Sequence, residues 1–427
     1  PDRRNCGCNR NGGLSSHQHV SSTSSHERQR LIFLIASGMS TAGSFAGLTA
    51  KGWILMDETK APMVLALHFA ALSLPTMLVS GPAGVRTDRV GCERVLIQAQ
   101  WALLAAGLLG ALSIPVLDGQ PQVLMLLAST LLVGIAGAYE LTARNKYCAL
   151  LVDDNAELAP FLTSFSVVFN VGKLVGPLLG GLLITLTGPA TALTLDAATY
   201  LLPIASVIWL LHPRTELEQR SAPGEKASLR VAWRECGSTL RHVLMFTGLM
   251  CLVGFFHPGL GPLIAARQLG GAPMDLAVFT SVLALGSIAG GLLLQRNSHR
   301  FCRRPSLTLA GFALVTAVAQ LGMAVGDSVP FTLTMTLLIG AGTAGLLSSS
   351  NLITQVGSTQ ILRGRMAGLG QIAFLGGGGL SGLLAAILTD TMGLQATFAI
   401  SGTLGIVLCL LEIWRRGGTV LNEVRSV

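Results

Sequence analysis

The sequence GVRTDRVGCER, residues 84–94, places five charged residues between two long apolar segments. The flanking segments, at about 62–84 and 95–117, are each long enough to cross a hydrocarbon layer of ~30 Å as a helix. A short basic turn between two such segments predicts a helical hairpin that crosses a membrane twice.

The whole chain of 427 residues follows the same pattern, with 51% hydrophobic and only 12% charged residues. Soluble proteins carry roughly a quarter charged residues, so this composition excludes an ordinary soluble enzyme. We expect an all-α membrane protein with twelve transmembrane helices in two six-helix bundles related by pseudo-twofold symmetry. The expected spans are about 31–54, 62–84, 95–117, 121–143, 159–184, 189–211, 241–264, 275–295, 306–326, 329–352, 366–388 and 394–414.

One polar segment, residues 212–240, separates the expected bundles at 31–211 and 241–416 and reads as a cytoplasmic linker. The tails at 1–30 and 417–427 are expected to be cytoplasmic, and the first to be disordered, because Ser, Asn, Gly and Arg dominate it. This tail lacks the apolar core of a signal peptide. Its cysteines and histidines do not form a credible metal site, and the cysteines as a whole are expected to stay reduced.

The positive charges define the expected orientation. Of 29 Lys and Arg residues, 25 lie in the tails or in loops on the same side as the N-terminus. The positive-inside rule then places both termini in the cytoplasm. The net charge of +8 therefore reflects topology, not a nucleic-acid partner, and we expect a multi-pass protein of the prokaryotic inner membrane.

A weak internal repeat relates the two halves, as is common in transporters. Gly84 and Arg89 follow the second span, and Gly291 and Arg296 follow the eighth span, 207 positions later. The second copy has Gln295 where the first has its aspartate.

The turn at 84–94 resembles the signature between the second and third helices of the major facilitator superfamily. The resemblance rests on the glycine, the Asp-Arg pair and the second glycine, followed by a basic residue, although Cys92-Glu93 departs from the usual basic pattern. It implies a conformational latch, in which the carboxylate accepts hydrogen bonds from a helix N-terminus or pairs with an arginine of the other half. The residues of this latch are Gly84, Asp88, Arg89, Gly91 and Arg94.

The fifth span is similar to the antiporter motif of exporting branches of the superfamily, with Thr163 in place of one further glycine. A spacing of four places its glycines on one helix face, where a neighbouring helix can approach closely. A packing role without transport polarity is the alternative. The motif residues are Gly172, Gly176, Pro177, Gly180 and Gly181. Stretches at 53–94, 188–202 and 351–366 resemble the branch that contains the enterobactin exporter.

Ionisable groups within spans are costly and therefore candidates for function. Lys173 lies near the middle of the fifth span, where a lone ammonium is expected to lose its proton, to pair with a carboxylate, for which Asp196 is the candidate, or to bind an anionic substrate. Asp196 is alternatively a proton carrier. Glu140 lies four residues before Arg144 and allows an intrahelical pair.

Two histidines, His68 and His257, could gate or couple transport, or could be satisfied buried hydrogen bonders. Thr130 occupies the position of an arginine common in proton antiporters of the superfamily, so a proton would need another carrier, with Asp57 and Glu58 as further candidates. Asn170, Asn351 and Gln355 are candidate cavity residues, and the tenth-span polar residues could equally serve helix packing. Residues 376–379 are consecutive glycines without the context of a phosphate loop, so no nucleotide, cofactor or metal is expected.

These features together predict a monomeric, non-enzymatic secondary transporter in contact with membrane lipids. The resemblance implies proton-coupled export of a small amphipathic molecule, such as a drug, a metabolite or a siderophore, by alternating access. The alternatives are a lipid or lysolipid flippase, an importer, and, from another class, a receptor or scaffold that does not transport.

Overall fold

A computed structural model describes residues 16–152, 155–210, 233–297, 305–358 and 363–416. These residues form twelve apolar helical spans without any strand in the described ranges. In chain order the helices are Ser16–Thr59, Pro62–Val90, Cys92–Val116, Gly119–Leu150, Asn155–Thr187, Pro189–Thr199 with Leu201–Leu210, Ser238–Gly254 with His257–Gln268, Pro273–Arg296, Pro305–Val325, Val329–Val356, Arg363–Gln371 with Gly377–Met392, and Leu394–Arg416. The eleventh span joins its two helices through a π-helical segment, Ile372–Gly376.

Each predicted span corresponds to one observed span, and most of the observed helices extend further at one or both ends. The clearest extension is in the predicted turn at 84–94, where the second helix continues to Val90 and the third begins at Cys92. Only Gly91 interrupts the two helices, with a φ of 98°. A nucleated helix gains one hydrogen bond for each added residue, and the left-handed conformation that ends it favours glycine.

The first helix differs from its expected start in the same way. It begins at Ser16, so the expectation of disorder up to residue 30 is wrong for residues 16–30. Glutamate, glutamine and arginine are good helix formers, and they continue the apolar span outward. Residues 1–15, 211–232 and 417–427, with Cys6 and Cys8 and most of the expected linker and C-terminal tail, lie outside the described residues.

The two halves share one apolar core on one side of the membrane. We call the side on which the first span begins and the twelfth ends the terminal side, and the opposite side the distal side. The distal core combines residues of both halves, among them Leu55, Leu65, Leu193, Phe256, Leu260 and Phe398. Small residues let the halves approach closely there, since a Cβ added at Gly181 would lie only 2.6 Å from Cβ of Ala277.

On the terminal side the apolar core is divided. One cluster around Phe33, Leu96 and Tyr147 belongs to the first half, and separate clusters around Val243 and Leu240 belong to the second half. Contacts between the halves reach toward the middle of the membrane, where the Ser281 hydroxyl donates a 2.8 Å hydrogen bond to the Leu174 carbonyl. The halves are therefore joined distally and have independent cores terminally.

The close contact between the halves at Gly181 predicts that a larger side chain at this position separates them. Gly181→Val should push the fifth and eighth spans apart at the distal side, because the added side chain has no room beside Ala277. Spin labels on the exposed distal turns at Lys60 and Asp327, in a background without native cysteines, should move apart by a few ångströms in double electron–electron resonance.

The same substitution at Gly137 is the matched control, because a Cβ there meets open space. It should leave the distance between the labels unchanged. An unchanged distance in Gly181→Val would contradict the assignment of this contact to the distal closure.

Candidate functional site

The fifth span uses its motif glycines to pack against the first span. A Cβ added at Gly176 would lie 2.5 Å from the carbonyl oxygen of Ala42, and one at Gly180 would lie 2.7 Å from that of Ala46. Gly172 faces Thr41 in the same way. These three glycines share one face within the first half, whereas Gly181 faces the eighth span of the other half, and Pro177 is a buried residue inside the helix.

Lys173 lies on a different face of the same helix. Successive residues of a helix are rotated by about 100°, which places Lys173 between the face toward the first span and the face of Leu174 and Gly181 toward the eighth span. Ser166 and Asn170 share this intermediate face toward the terminal side. Asn170 is half-buried and donates a 2.8 Å hydrogen bond to the Ser166 carbonyl. This polar face borders the space between the two halves.

Asp196 is buried inside the first half and does not pair with Lys173. Its carboxyl group instead interacts electrostatically with Lys51 of the first span and with the Tyr200 hydroxyl. Tyr200 in turn lies 2.9 Å from the Ser44 hydroxyl. The expectation that Asp196 is the partner of Lys173 is therefore wrong, because Asp196 projects into the bundle and Lys173 projects out of it.

Lys51 is not among the candidates that the sequence provided, and the structure makes it central to this cluster. The side chain is 2% exposed, and its ammonium donates a 2.7 Å hydrogen bond to the Ser129 hydroxyl. The Ser129 hydroxyl in turn donates a 2.7 Å hydrogen bond to the Ala106 carbonyl. A Cβ at Gly110 would lie 3.2 Å from Cε of Lys51, so the glycine leaves room for the lysine.

Two other candidates have local partners. His68 is buried, and its Nδ1 lies 3.0 Å from the Thr130 hydroxyl, at the position where an arginine is absent. Glu140 pairs with Arg144 at 3.0 Å, as the spacing of four predicts. Gln100 approaches the same carboxylate at 3.5 Å.

His257 lies at a break in the seventh span, between its two helices. Pro258 has no N–H, so the Gly254 carbonyl four residues earlier cannot make its usual helical hydrogen bond. The side-chain amide of Gln320 donates to this carbonyl at 2.6 Å instead. His257 is 1% exposed, and its Nδ1 has no hydrogen-bond partner. The break therefore places a buried imidazole near the middle of the membrane.

The polar run of the tenth span divides between packing and exposure. Ser350 is buried and accepts a 2.9 Å hydrogen bond from Thr247, and Thr354 bonds to the Ser350 carbonyl. Asn351 is half-buried and faces Gly370 of the eleventh span, whereas Gln355 is exposed. Ser350 and Thr354 therefore serve helix packing, and the cavity role of Asn351 and Gln355 stays a prediction.

Among the described residues, the carboxylate of the expected latch, Asp88, has neither of its two expected partners, a helix N-terminus or an arginine of the other half. Asp88 is exposed and accepts a 3.0 Å hydrogen bond from the Lys146 ammonium at the end of the fourth span, in the same half. Arg89 and Arg94 are exposed, and Gly84 is half-buried with open space beside it. In this conformation the carboxylate contacts neither an arginine nor a helix of the other half within the described part of the chain.

An apolar groove of about 560 Å³ lies along the third and fourth spans. Its walls include Ala99, Ala102 and Ile135, and Arg86 stands at one end beside Gln98, to which it donates a 3.0 Å hydrogen bond. All of its lining residues belong to the first half. The groove is therefore not a lateral opening between the halves of the kind that lipid transfer would favour.

Twelve spans in two halves around a polar central face define the fold of a major facilitator transporter. The family described as transmembrane secretion effectors matches residues 24–416, and the chain belongs to this family.

Two of the similar proteins are named as transporters. The multidrug efflux pump Tap of Mycobacterium tuberculosis H37Rv is 25% identical over 382 residues, which cover 86% of this chain and 88% of the pump. The staphyloferrin A transporter of Staphylococcus aureus is 20% identical over 387 residues, which cover 89% of this chain and 94% of that transporter.

Solved structures share the fold. The nucleoside transporter NupG superposes with a TM-score of 0.68 at 13% identity, over 90% of this chain and 98% of its own. The human organic anion transporter MFSD10 superposes with a TM-score of 0.64 at 15% identity, over 91% and 99%. At such identities the likeness concerns the fold and not the cargo.

The buried cluster predicts a large loss of stability on removal of Lys51. Lys51→Met leaves the Asp196 carboxylate buried without its cation, which should cost about 3–5 kcal/mol. Addition of Asp196→Asn to the same chain should recover much of this loss, because the unpaired charge is then removed. Unfolding by sodium dodecyl sulfate in mixed micelles measures both free energies.

Lys60→Met is the control, since Lys60 is an exposed lysine at the end of the same span. It should leave stability nearly unchanged. Independent, additive effects of Lys51→Met and Asp196→Asn would contradict an interaction between the two side chains.

Proposed function

We propose that this chain exports small amphipathic molecules from the cytoplasm by alternating access, driven by an opposing flow of protons. The observation that carries the proposal is the asymmetry between the two sides of the membrane. The apolar core is shared between the halves on the distal side and divided on the terminal side, and we infer that the halves separate on the terminal side to expose the polar face of Lys173. The positive-inside pattern supports a cytoplasmic terminal side.

Export as the direction is supported by the relatives. Tap is named a multidrug efflux pump and shares most of the chain length. The distal contacts between halves involve small residues such as Gly181, Ala277 and Gly52, and such smooth surfaces can separate and rejoin without disentangling long side chains. A half-buried, polar central face also favours transport over a scaffold, because a scaffold gains nothing from an unpaired cation there.

Asp196 is the proposed proton carrier. Its Oδ1 has no hydrogen-bond partner, although the side chain is only 4% exposed. An ionised Asp196 attracts Lys51 on the first span, and a protonated one does not, so proton binding changes the force between the first and sixth spans. The other titratable groups whose charges reach this cluster are Tyr200, His68 and Glu140.

Reconstitution tests this proposal. Liposomes that contain the purified protein should accumulate rhodamine 123 or fluorescein when a pH gradient with an acidic interior is imposed, since protons then leave as the dye enters. Asp196→Asn should lose most of the gradient-driven accumulation but keep dye exchange in the absence of a gradient, because asparagine keeps the size and a hydrogen-bonding oxygen of the side chain but carries no proton.

Asp118→Asn supplies the control, since Asp118 is an exposed aspartate on a turn of the same half. It should behave like the wild type. Wild-type transport that ignores the pH gradient would refute proton antiport and favour a facilitator or a lipid transporter. Accumulation that requires the opposite gradient would favour an importer.

A further inference from the structure

Lys173 has no partner for its charge within the part of the chain that the structure describes. The side chain is half-buried near the middle of the fifth span, which runs from Pro160 to Thr187 in its apolar part. Its ammonium makes no hydrogen bond and no ion pair to a described residue. Its charge reaches His257 of the seventh span, which places it close to the boundary between the halves.

Three acidic side chains that lie well inside the spans have neighbours other than Lys173. Glu140 binds Arg144 at 3.0 Å, and Glu412 binds His242 at 2.8 Å. Asp196 lies beside Lys51. None of these three carboxylates therefore neutralises Lys173, and other acids of the described spans, such as Asp275 and Asp390, lie close to the span ends.

More distant acids are out of reach. Asp57 and Glu58 are exposed at the distal end of the first span. A cation at mid-membrane without a protein counterion is costly, and an anion that enters from outside the protein removes this cost.

An aromatic cluster lies beside His257, the imidazole that the charge of Lys173 reaches. Phe255 lies 5.1 Å from the His257 ring and 4.6 Å from Phe374, between ring centroids. Phe69 of the first half completes the cluster at 6.2 Å from Phe255. Rings from the second, seventh and eleventh spans thus meet next to the imidazole that the charge of Lys173 reaches.

We propose that Lys173 binds the anionic group of the transported molecule, so that the cargo is an amphipathic anion whose apolar body contacts the aromatic cluster of Phe69, Phe255 and Phe374. This inference rests on the proposed function, since it names the cargo of the same central site. A carboxylate, sulfonate or phosphate satisfies the ammonium by a charge-assisted hydrogen bond. The aromatic rings select for an apolar, planar body.

Two dyes of one scaffold test the charge preference directly. Fluorescein is anionic and rhodamine 123 is cationic at neutral pH, and both share a tricyclic xanthene core. Fluorescence anisotropy with the purified protein in detergent micelles should show tighter binding of fluorescein. Lys173→Gln should weaken fluorescein binding by roughly tenfold or more, through the loss of one charged hydrogen bond.

The same substitution should leave rhodamine 123 binding unchanged or stronger. Lys173→Arg should restore most of the fluorescein affinity, because arginine keeps the charge. Lys60→Gln removes an exposed lysine outside the central site and should change neither dye.

Equal binding of both dyes by the wild type, or an equal loss of both in Lys173→Gln, would overturn the anion site. Absence of measurable fluorescein binding would overturn it as well. Dye transport in liposomes is a separate measurement, which tests the proposed export independently of binding. Fluorescein that binds through Lys173 but is not moved across the bilayer would refute the proposed export and leave the anion site intact.

Discussion

The need to neutralise every charge buried in the spans organises this protein. A low-dielectric interior makes an isolated ion expensive, so Glu140 is held by Arg144 and Glu412 by His242. The same constraint builds the core of the first half around Lys51 and Asp196, and small residues such as Gly47 and Gly110 make room for both side chains. Lys173 is the exception, because in our proposal its charge is neutralised only when an anion enters the central space.

Backbone polar groups follow the same constraint. The seventh span breaks where Pro258 cannot donate, and Gln320 of the ninth span supplies the missing donor to the Gly254 carbonyl. A backbone carbonyl at membrane depth needs such a donor from within the protein. The break is thus stabilised by a neighbouring span, and it brings His257 and Phe255 to the place where the two halves meet.

The two sides of the membrane differ in how the halves are held. Distally, one apolar core crosses the boundary, and glycine and alanine set a short distance between the fifth and eighth spans. On the terminal side each half has its own core, so separation of the halves there exposes no shared apolar surface. Asp88 is engaged by Lys146 of its own half on this side. Independent terminal cores allow the halves to move as rigid bodies about the distal contact.

The sequence by itself determined the number of spans, their order, the Glu140–Arg144 pair and the glycine face of the fifth span. These features depend on local composition and on helical spacing, which a single chain displays directly. Only the tertiary structure decided that Asp196 belongs with Lys51 and that Lys173 does not. The two partners are separated by more than a hundred residues, and helix packing, not spacing along the chain, sets which faces of distant spans meet. The break at Pro258 is visible in the sequence, but its satisfaction by Gln320 depends on the same long-range packing.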